Sequence, residues 1–329
     1  MARSTYGVDR SRCCVDSYTG NVKFWVANTD DAWFSYLASL APIDEVNFWQ
    51  PNKVQPITLD PGAPWLFKLH VRKGGFVVGG AFFAHYTTLT PRLAWDAFGQ
   101  TNGAATYDAF LRLLTGHALH PIDPLSTEIG ASVLVQPFFL PRDLWVAPPA
   151  DWSSNLTRGK SYNTESGEGQ LLWDRVMEAT AGLQPTQHGI TDVPTPAYGN
   201  PILVAPRLGQ GAFRVMVTDA YERRCVVTGE KTLPVLEAAH IKPYNLVGRH
   251  EISNGLLLRS DLHTLFDLGY LTVSPADLRV NVSRRIHDEF ENGREYYALD
   301  GRQLRLPKSP NPQPSREMLD WHSQVVFRG

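Results

Sequence analysis

Cysteine is nearly absent: the 329-residue chain has three. Cys13 and Cys14 are adjacent and Cys225 stands alone, which excludes a disulfide framework and a cysteine-built zinc site and points to a reducing, cytoplasmic setting. Long apolar runs are missing too. No stretch of about 18 apolar residues occurs, so no membrane partner is expected. The first residues carry no apolar core of the kind a secretory signal needs. Residues 1–20 show no hydrophobic period and read as a disordered leader. Nor is there an excess of charge of one sign: 31 Lys and Arg face 33 Asp and Glu, a net −2. From Pro206 onward 17 basic residues face 15 acidic ones, against 14 and 18 before it, so any basic surface must be local.

Aromatic residues, by contrast, are plentiful, with 9 Trp and 15 Phe. The length suits two domains. Val22 opens a strand, VKFWVAN, and Asn28, Thr29 and Asp30 offer N-caps for a helix over DDAWFSYLASL. EVNFWQP reads as a strand, as do Trp65–Val71 and Phe76–Phe83, the last interrupted by Gly79–Gly80. Paired glycines inside a strand predict a bulge or a close backbone approach to a ligand. Helices are expected over PRLAWDAFG, TYDAFLRLL and GEGQLLWDRVMEAT, and Ile129 to Phe139 is a β-rich run whose Pro137 predicts an edge or a strand end. The Pro- and Gly-rich segment after residue 180 reads as a linker, residues 181–205.

Beyond the linker, three polar residues stand out in a compact apolar segment, CVVTGEKTLPVLEAAHIKPYNLVGRHEISNGLLLRSDLHTLFDLGY. They are His240, Asn254 and His263, spaced 14 and 9 residues apart. Asn254-Gly255 sits at a natural turn before LLLRSDLHTLF.

This segment resembles the HNH nuclease core, the ββα-metal fold, of the kind fused to modified-DNA readers in bacterial Type IV (modification-dependent) restriction enzymes. The resemblance is strong over residues 206–329 and weaker over the rest. It implies phosphodiester hydrolysis, which needs an activated water, a cation to neutralise the phosphate and a stabilised leaving oxygen. It implies that His240, neutral near pH 7, takes the water's proton as general base, that Asn254 holds the ββα turn through bonds to backbone, that His263 is a metal ligand on the helix, and that the cation is Mg²⁺ or Mn²⁺. In many such enzymes an Asp or His just before the catalytic His is the second ligand; here that position is Ala239. Glu237 is the nearest upstream acid and the candidate replacement, although a three-residue offset on an ideal strand calls for a bend or bulge. Asp261 and Asp267 are the fallback ligands. Lys242, Arg249 and Arg259 flank the core as candidate phosphate contacts. His250, His287 and His322 read as ordinary surface or core histidines.

Residues 21–180 read as short twisted strands with helices. Phe24–Trp25 on a first strand, the helix at Trp33 and the GGFVVGGAFF strand pair resemble the PUA superfamily, which includes EVE, ASCH and SRA readers. The fold expected is therefore α+β: a PUA-like twisted β-barrel with helices, then an HNH domain. A reader of this kind needs an aromatic cage for a flipped base. Trp49, Phe82 and Trp25 are the candidate walls, with Asn47 or Asp96 reading an exocyclic group. The partner implied is double-stranded DNA carrying modified cytosine (5-methylcytosine, 5-hydroxymethylcytosine or similar). Two protomers, as a homodimer, would be called for if both strands are cut. Ala239 keeps an inactive modified-nucleic-acid binder open as an alternative, and the N-terminal domain could instead read phosphorothioate or bind a protein partner.

Overall fold

The computed structural model describes residues 22–55, 58–165, 167–181, 208–247 and 250–329. The leader, all but the first residue of the linker, and Arg249 lie outside the described residues. The chain runs β1 (Lys23–Thr29), α1 (Asp31–Leu40), β2 (Glu45–Gln50), β3 (Pro64–Leu69), β4 (Val77–Leu89), α2 (Pro91–Phe98), α3 (Tyr107–His117), β5 (Ile129–Phe139), β6 (Gly159–Asn163) and α4 (Gly167–Ala181). It continues with α5 (Gln210–Ala220), β7 (Leu236–His240), α6 (Tyr244–Val247), β8 (Gly255–Arg259), α7 (Ser260–Asp267), β9 (Leu271–Val273), β10 (Val280–Val282), α8 (Arg285–Phe290), α9 (Arg294–Tyr297) and α10 (Arg316–Val325). No helix among the described residues is long and apolar enough to cross a membrane.

The caps follow from side chains that outcompete water for orphan amides. Asp30, Thr90, Thr106 and Ser315 each accept from the amide three residues on, starting α1, α2, α3 and α10.

The first six strands form one mixed sheet in the order β2-β5-β4-β3-β1-β6. Among the described residues only β1 and β3 pair in parallel, a crossover carried by α1 and β2. β2 and β6 are the edges, and no ladder among the described residues closes the sheet into the expected barrel. The fold is α+β with a large N-terminal sheet. Pro137 lies beyond the β2 pairing, which ends at Val135, so its missing N–H costs no ladder bond on that side.

The double glycine resolves in favour of packing. The β4–β5 register shifts between Gly80 and Phe82. A Cβ at Gly79 would sit 2.3 Å from the Phe138 carbonyl oxygen, and one at Gly80 would sit 2.8 Å from the Phe138 ring. The space that glycine opens is filled by β5, and no ligand is needed to explain it.

α5 is the element that joins the two halves. Ala212 and Val215 are buried with Phe98, Phe110 and Val135 of the N-terminal part. Phe213, Val217 and Tyr221 are buried with Leu256, Leu257 and Phe266 of the C-terminal part. Polar contacts reinforce the seam: His85 lies 2.9 Å from Asp219, and Arg223 donates to the Thr88 carbonyl at 2.6 Å. The most buried contact is at the helix start, where the Glu45 carboxylate accepts from the Gly211 and Ala212 amides at 2.6 and 2.7 Å.

Candidate active site

β7 and β8 pair antiparallel from Leu236↔Arg259 to His240↔Gly255, and α7 follows β8 directly. Leu256, Leu257, Leu258, Leu262 and Phe266 are fully buried, so the second strand and the helix close on one core. That apolar run aligns the polar residues between them.

Asn254, just before β8, is fully buried. Its Oδ1 accepts from the Lys242 amide at 2.8 Å, and its Nδ2 donates to the Lys242 carbonyl at 2.9 Å. Its own carbonyl accepts from the Ile241 amide at 2.9 Å. A side-chain amide can do this because it carries a donor and an acceptor side by side. The three bonds fasten the chain leaving His240 to the chain entering β8.

His240 ends β7. The Phe213 ring lies on it with centroids 4.0 Å apart and planes 9° apart. His240 Nε2 is 2.9 Å from His250 Nδ1, and Tyr244 stacks on His250 at 4.3 Å. Burial, followed by the neighbouring His250 and His263, pushes the His240 pKa down to about 4. The ring is therefore neutral at pH 7 and holds a lone pair for a proton. Burial also lowers the His250 pKa, against the opposing pull of Asp44.

His263 sits in α7 between two acids. Its Nδ1 is 2.6 Å from Glu237 Oε2, and its Nε2 is 3.3 Å from Asp267 Oδ2. β7 pairs with β8 without a register shift, so no bulge redirects Glu237, contrary to what the three-residue offset calls for. The ring on α7 meets the acid instead. Burial raises the Asp267 carboxyl above its usual range; His263 opposes this and Glu237 adds to it.

These groups line one open cleft of about 600 Å³, whose walls include Phe213, Glu237, His240, Tyr244, His263 and Asp267. Two carboxylates around one imidazole supply hard oxygen and nitrogen donors of the type Mg²⁺ and Mn²⁺ accept. In donor chemistry the residues fit a divalent cation. Among the described residues no three His, Cys, Asp or Glu side chains already converge on a single point.

The remaining candidates separate. Arg259 closes its fork on Asp261, with Nε and Nη2 each 2.6 Å from a carboxylate oxygen, which holds the Asp261 carboxyl low. Of the two fallback acids, Asp267 is the one beside His263. The Lys242 ammonium lies 5.4 Å from the centre of the Trp321 ring. His322 is buried at the rim, stacked on Phe266 at 3.7 Å.

The base-pocket candidates are spread over two apolar clusters and the surface, with Trp49 beside both clusters. Trp25 is buried in the sheet against Trp65. Trp49 donates its Nε1 to the Asn102 carbonyl at 2.8 Å, and Asn47 donates to Asn102 Oδ1 at 2.8 Å, so both fasten β2 to the turn after α2. Phe82 packs beside the core under α2 and α3. Asp96 is exposed and pairs with Arg92 at 3.1 Å. Aromatic richness alone does not distinguish a cage wall from a core residue, because both want large apolar rings.

The residues that the sequence reading missed are Phe213, Tyr244 and His250. Phe213 belongs to a distant helix, and no spacing links it to His240. His250 carries one faint signal: it lies inside the loop between His240 and Asn254, which the hairpin must fold back on itself.

Residues 225–274 match the HNH endonuclease family. No curated protein matches the chain. Among solved structures, a modification-dependent TagI restriction endonuclease is similar at 14% identity, covering 87% of this chain and 76% of its own, with a TM-score of 0.26. At that TM-score the likeness carries no argument about fold or function. Of the walls of the cleft, Glu237, His240, Tyr244, His263 and Asp267 lie within the matched residues 225–274, and Phe213 lies outside them.

Proposed function

We propose that the chain is a modification-dependent DNA endonuclease. In this reading His240, Asn254 and His263 form a one-cation HNH site, and the N-terminal domain is a PUA-like reader of modified cytosine in double-stranded DNA. The observation that carries the catalytic half is the single cleft that holds a neutral His240 beside the Glu237–His263–Asp267 cluster.

His240 accepts a proton from a water molecule, whose oxygen forms a bond to phosphorus. The opposite phosphorus–oxygen bond breaks, and the leaving oxygen takes a proton from solvent. Asn254 fixes the backbone on which His240 is mounted. Glu237 and His263 would hold Mg²⁺ or Mn²⁺, with Asp267 beside them. When bound, such an ion supplies charge neutralisation at the phosphate. Without it the cleft carries two carboxylates, which repel a phosphodiester.

The reader half rests on the sequence resemblance and on the large aromatic-rich sheet joined to the nuclease by α5. Cutting of both strands would call on two protomers. Ala239 is the specific feature favouring a second reading, a modified-nucleic-acid binder without nuclease activity. The test is cleavage of DNA of one sequence prepared with cytosine, 5-methylcytosine or 5-hydroxymethylcytosine, with Mg²⁺ or Mn²⁺. Preference for a modified substrate is expected. Equal cleavage of all three removes the reader, and no cleavage together with no Mn²⁺ binding removes the enzyme.

A further inference from the structure

We propose that His250 is a positioning residue that sets the tautomer of His240, holding the proton of the neutral ring on Nε2 so that Nδ1 is left free to accept. This rests on the reading of His240 as the base.

The geometry points there in three steps. First, His240 Nε2 and His250 Nδ1 are 2.9 Å apart, which is hydrogen-bond distance between two ring nitrogens. A neutral imidazole has one N–H and one lone pair, so one nitrogen of the pair must donate and the other accept. Second, both rings are held in place. Phe213 covers His240 at 4.0 Å, Tyr244 covers His250 at 4.3 Å, and His250 forms a backbone bridge with Leu208 next to the start of α5. Third, the two possible arrangements have opposite chemical consequences. If His250 donates, the His240 proton sits on Nδ1 and no lone pair remains for water. If His240 donates, Nδ1 is bare.

The second arrangement also improves as the reaction proceeds. Once Nδ1 takes the water's proton, His240 is an imidazolium whose Nε2–H still points at the His250 lone pair. A neutral N–H···N bond becomes a charge-assisted one, stronger at the moment charge develops. A neutral partner orients the base without adding negative charge to a cleft that already holds Glu237 and Asp267. The titratable groups facing the pair are His263 toward His240, and Tyr244 and Asp44 toward His250. Asp44 favours positive charge on His250. Protonated His250 would donate to His240 and force the unproductive tautomer, so activity is also lost when His250 titrates.

The test uses the full chain with ¹⁵N-labelled histidine. His250→Phe keeps an aromatic ring and removes the acceptor, whereas His250→Asn restores an acceptor oxygen. In the parent protein, imidazole ¹⁵N shifts should report His240 as the Nε2–H tautomer. In His250→Phe they should report a mixture, and in His250→Asn a return to Nε2–H. Nicking of supercoiled plasmid carrying 5-hydroxymethylcytosine, with Mn²⁺, should fall in kcat by on the order of 10²-fold in His250→Phe with little change in KM, and recover to within about tenfold in His250→Asn. The proposal is overturned if His240 carries its proton on Nδ1 in the parent protein, or if its tautomer is the same in His250→Phe. It is equally overturned if His250→Asn, folded by its amide spectrum, stays as impaired as His250→Phe. Full activity in His240→Ala, with the ¹⁵N result intact, removes the base reading and leaves the tautomer assignment standing.

Discussion

The Phe213 ring lies flat on His240, 4.0 Å away and 9° from parallel. Phe213 is carried by α5, and the first amides of α5 are held by Glu45 at the edge of the N-terminal sheet. Three packed residues therefore run from the sheet to the ring of the candidate base.

Replacing Glu45 with Gln should weaken that link. The carboxylate accepts two buried amide protons; a side-chain amide offers one oxygen and turns an N–H toward the other donor. The approach is close: a Cβ at Gly209 would sit 2.3 Å from the Glu45 carboxyl carbon. A loss of about 1–3 kcal/mol is expected, read as a lower urea midpoint, and Gly209→Ala should lower it as well. An unchanged midpoint in Glu45→Gln would show that the cap carries no stability.

Asn254→Ala removes both bonds to Lys242 from a fully buried position. About 2 kcal/mol or more should be lost, and nicking should fall further than the loss of folded protein explains. Asn254→Asp should rescue little, since a carboxylate cannot donate to the Lys242 carbonyl. Thermal unfolding and nicking at a temperature where both variants are folded separate the two effects.

Chelation with EDTA should abolish nicking, and Mn²⁺ should restore it. Glu237→Gln should weaken Mn²⁺ binding at least about tenfold by calorimetry. Asp261→Asn should leave binding close to the parent value, because the Asp261 oxygens already serve Arg259 at 2.6 Å. Equal losses in both variants would move the cation away from Glu237.

His322 predicts an acid-sensitive fold. Its Nε2 lies 3.1 Å from the Phe266 carbonyl, an acceptor to which it donates, and the neutral ring then has its Nδ1 lone pair 2.8 Å from the Thr272 hydroxyl. Burial pushes its pKa from 6.5 down to about 4. Between those values the unfolded chain binds a proton that the folded chain does not, so stability rises with pH. The His322 contribution is intact above about pH 6.5 and is lost as pH falls toward 4, by about 3 kcal/mol in all. The urea midpoint of His322→Gln should therefore vary less with pH over this window than that of the parent.

Much of the local structure was legible in the residues. Among the N-cap candidates, Asp30 marks the start of α1 because orphan amides need an acceptor within a few residues. The apolar run through Leu256 to Phe266 marks a strand and helix that bury together. His240, Asn254 and His263 stand out because a hairpin followed at once by a helix constrains their spacing. The aromatic candidates were not legible: Trp25 and Trp49 have the composition of a cage and the packing of a core, and no local pattern separates the two.

The apolar periods and the Asp30 cap depend on neighbours within a few positions, so the linear chain was enough to set them. The stacking of Phe213 on His240, the contact between His240 and His250, the meeting of Glu237 with His263 without a bulge and the Glu45 cap depend on where distant segments pack. Side-chain contact falls off within a few ångströms, and only folding brings Glu45, 166 residues before Gly211, to within 2.6 Å of its amide.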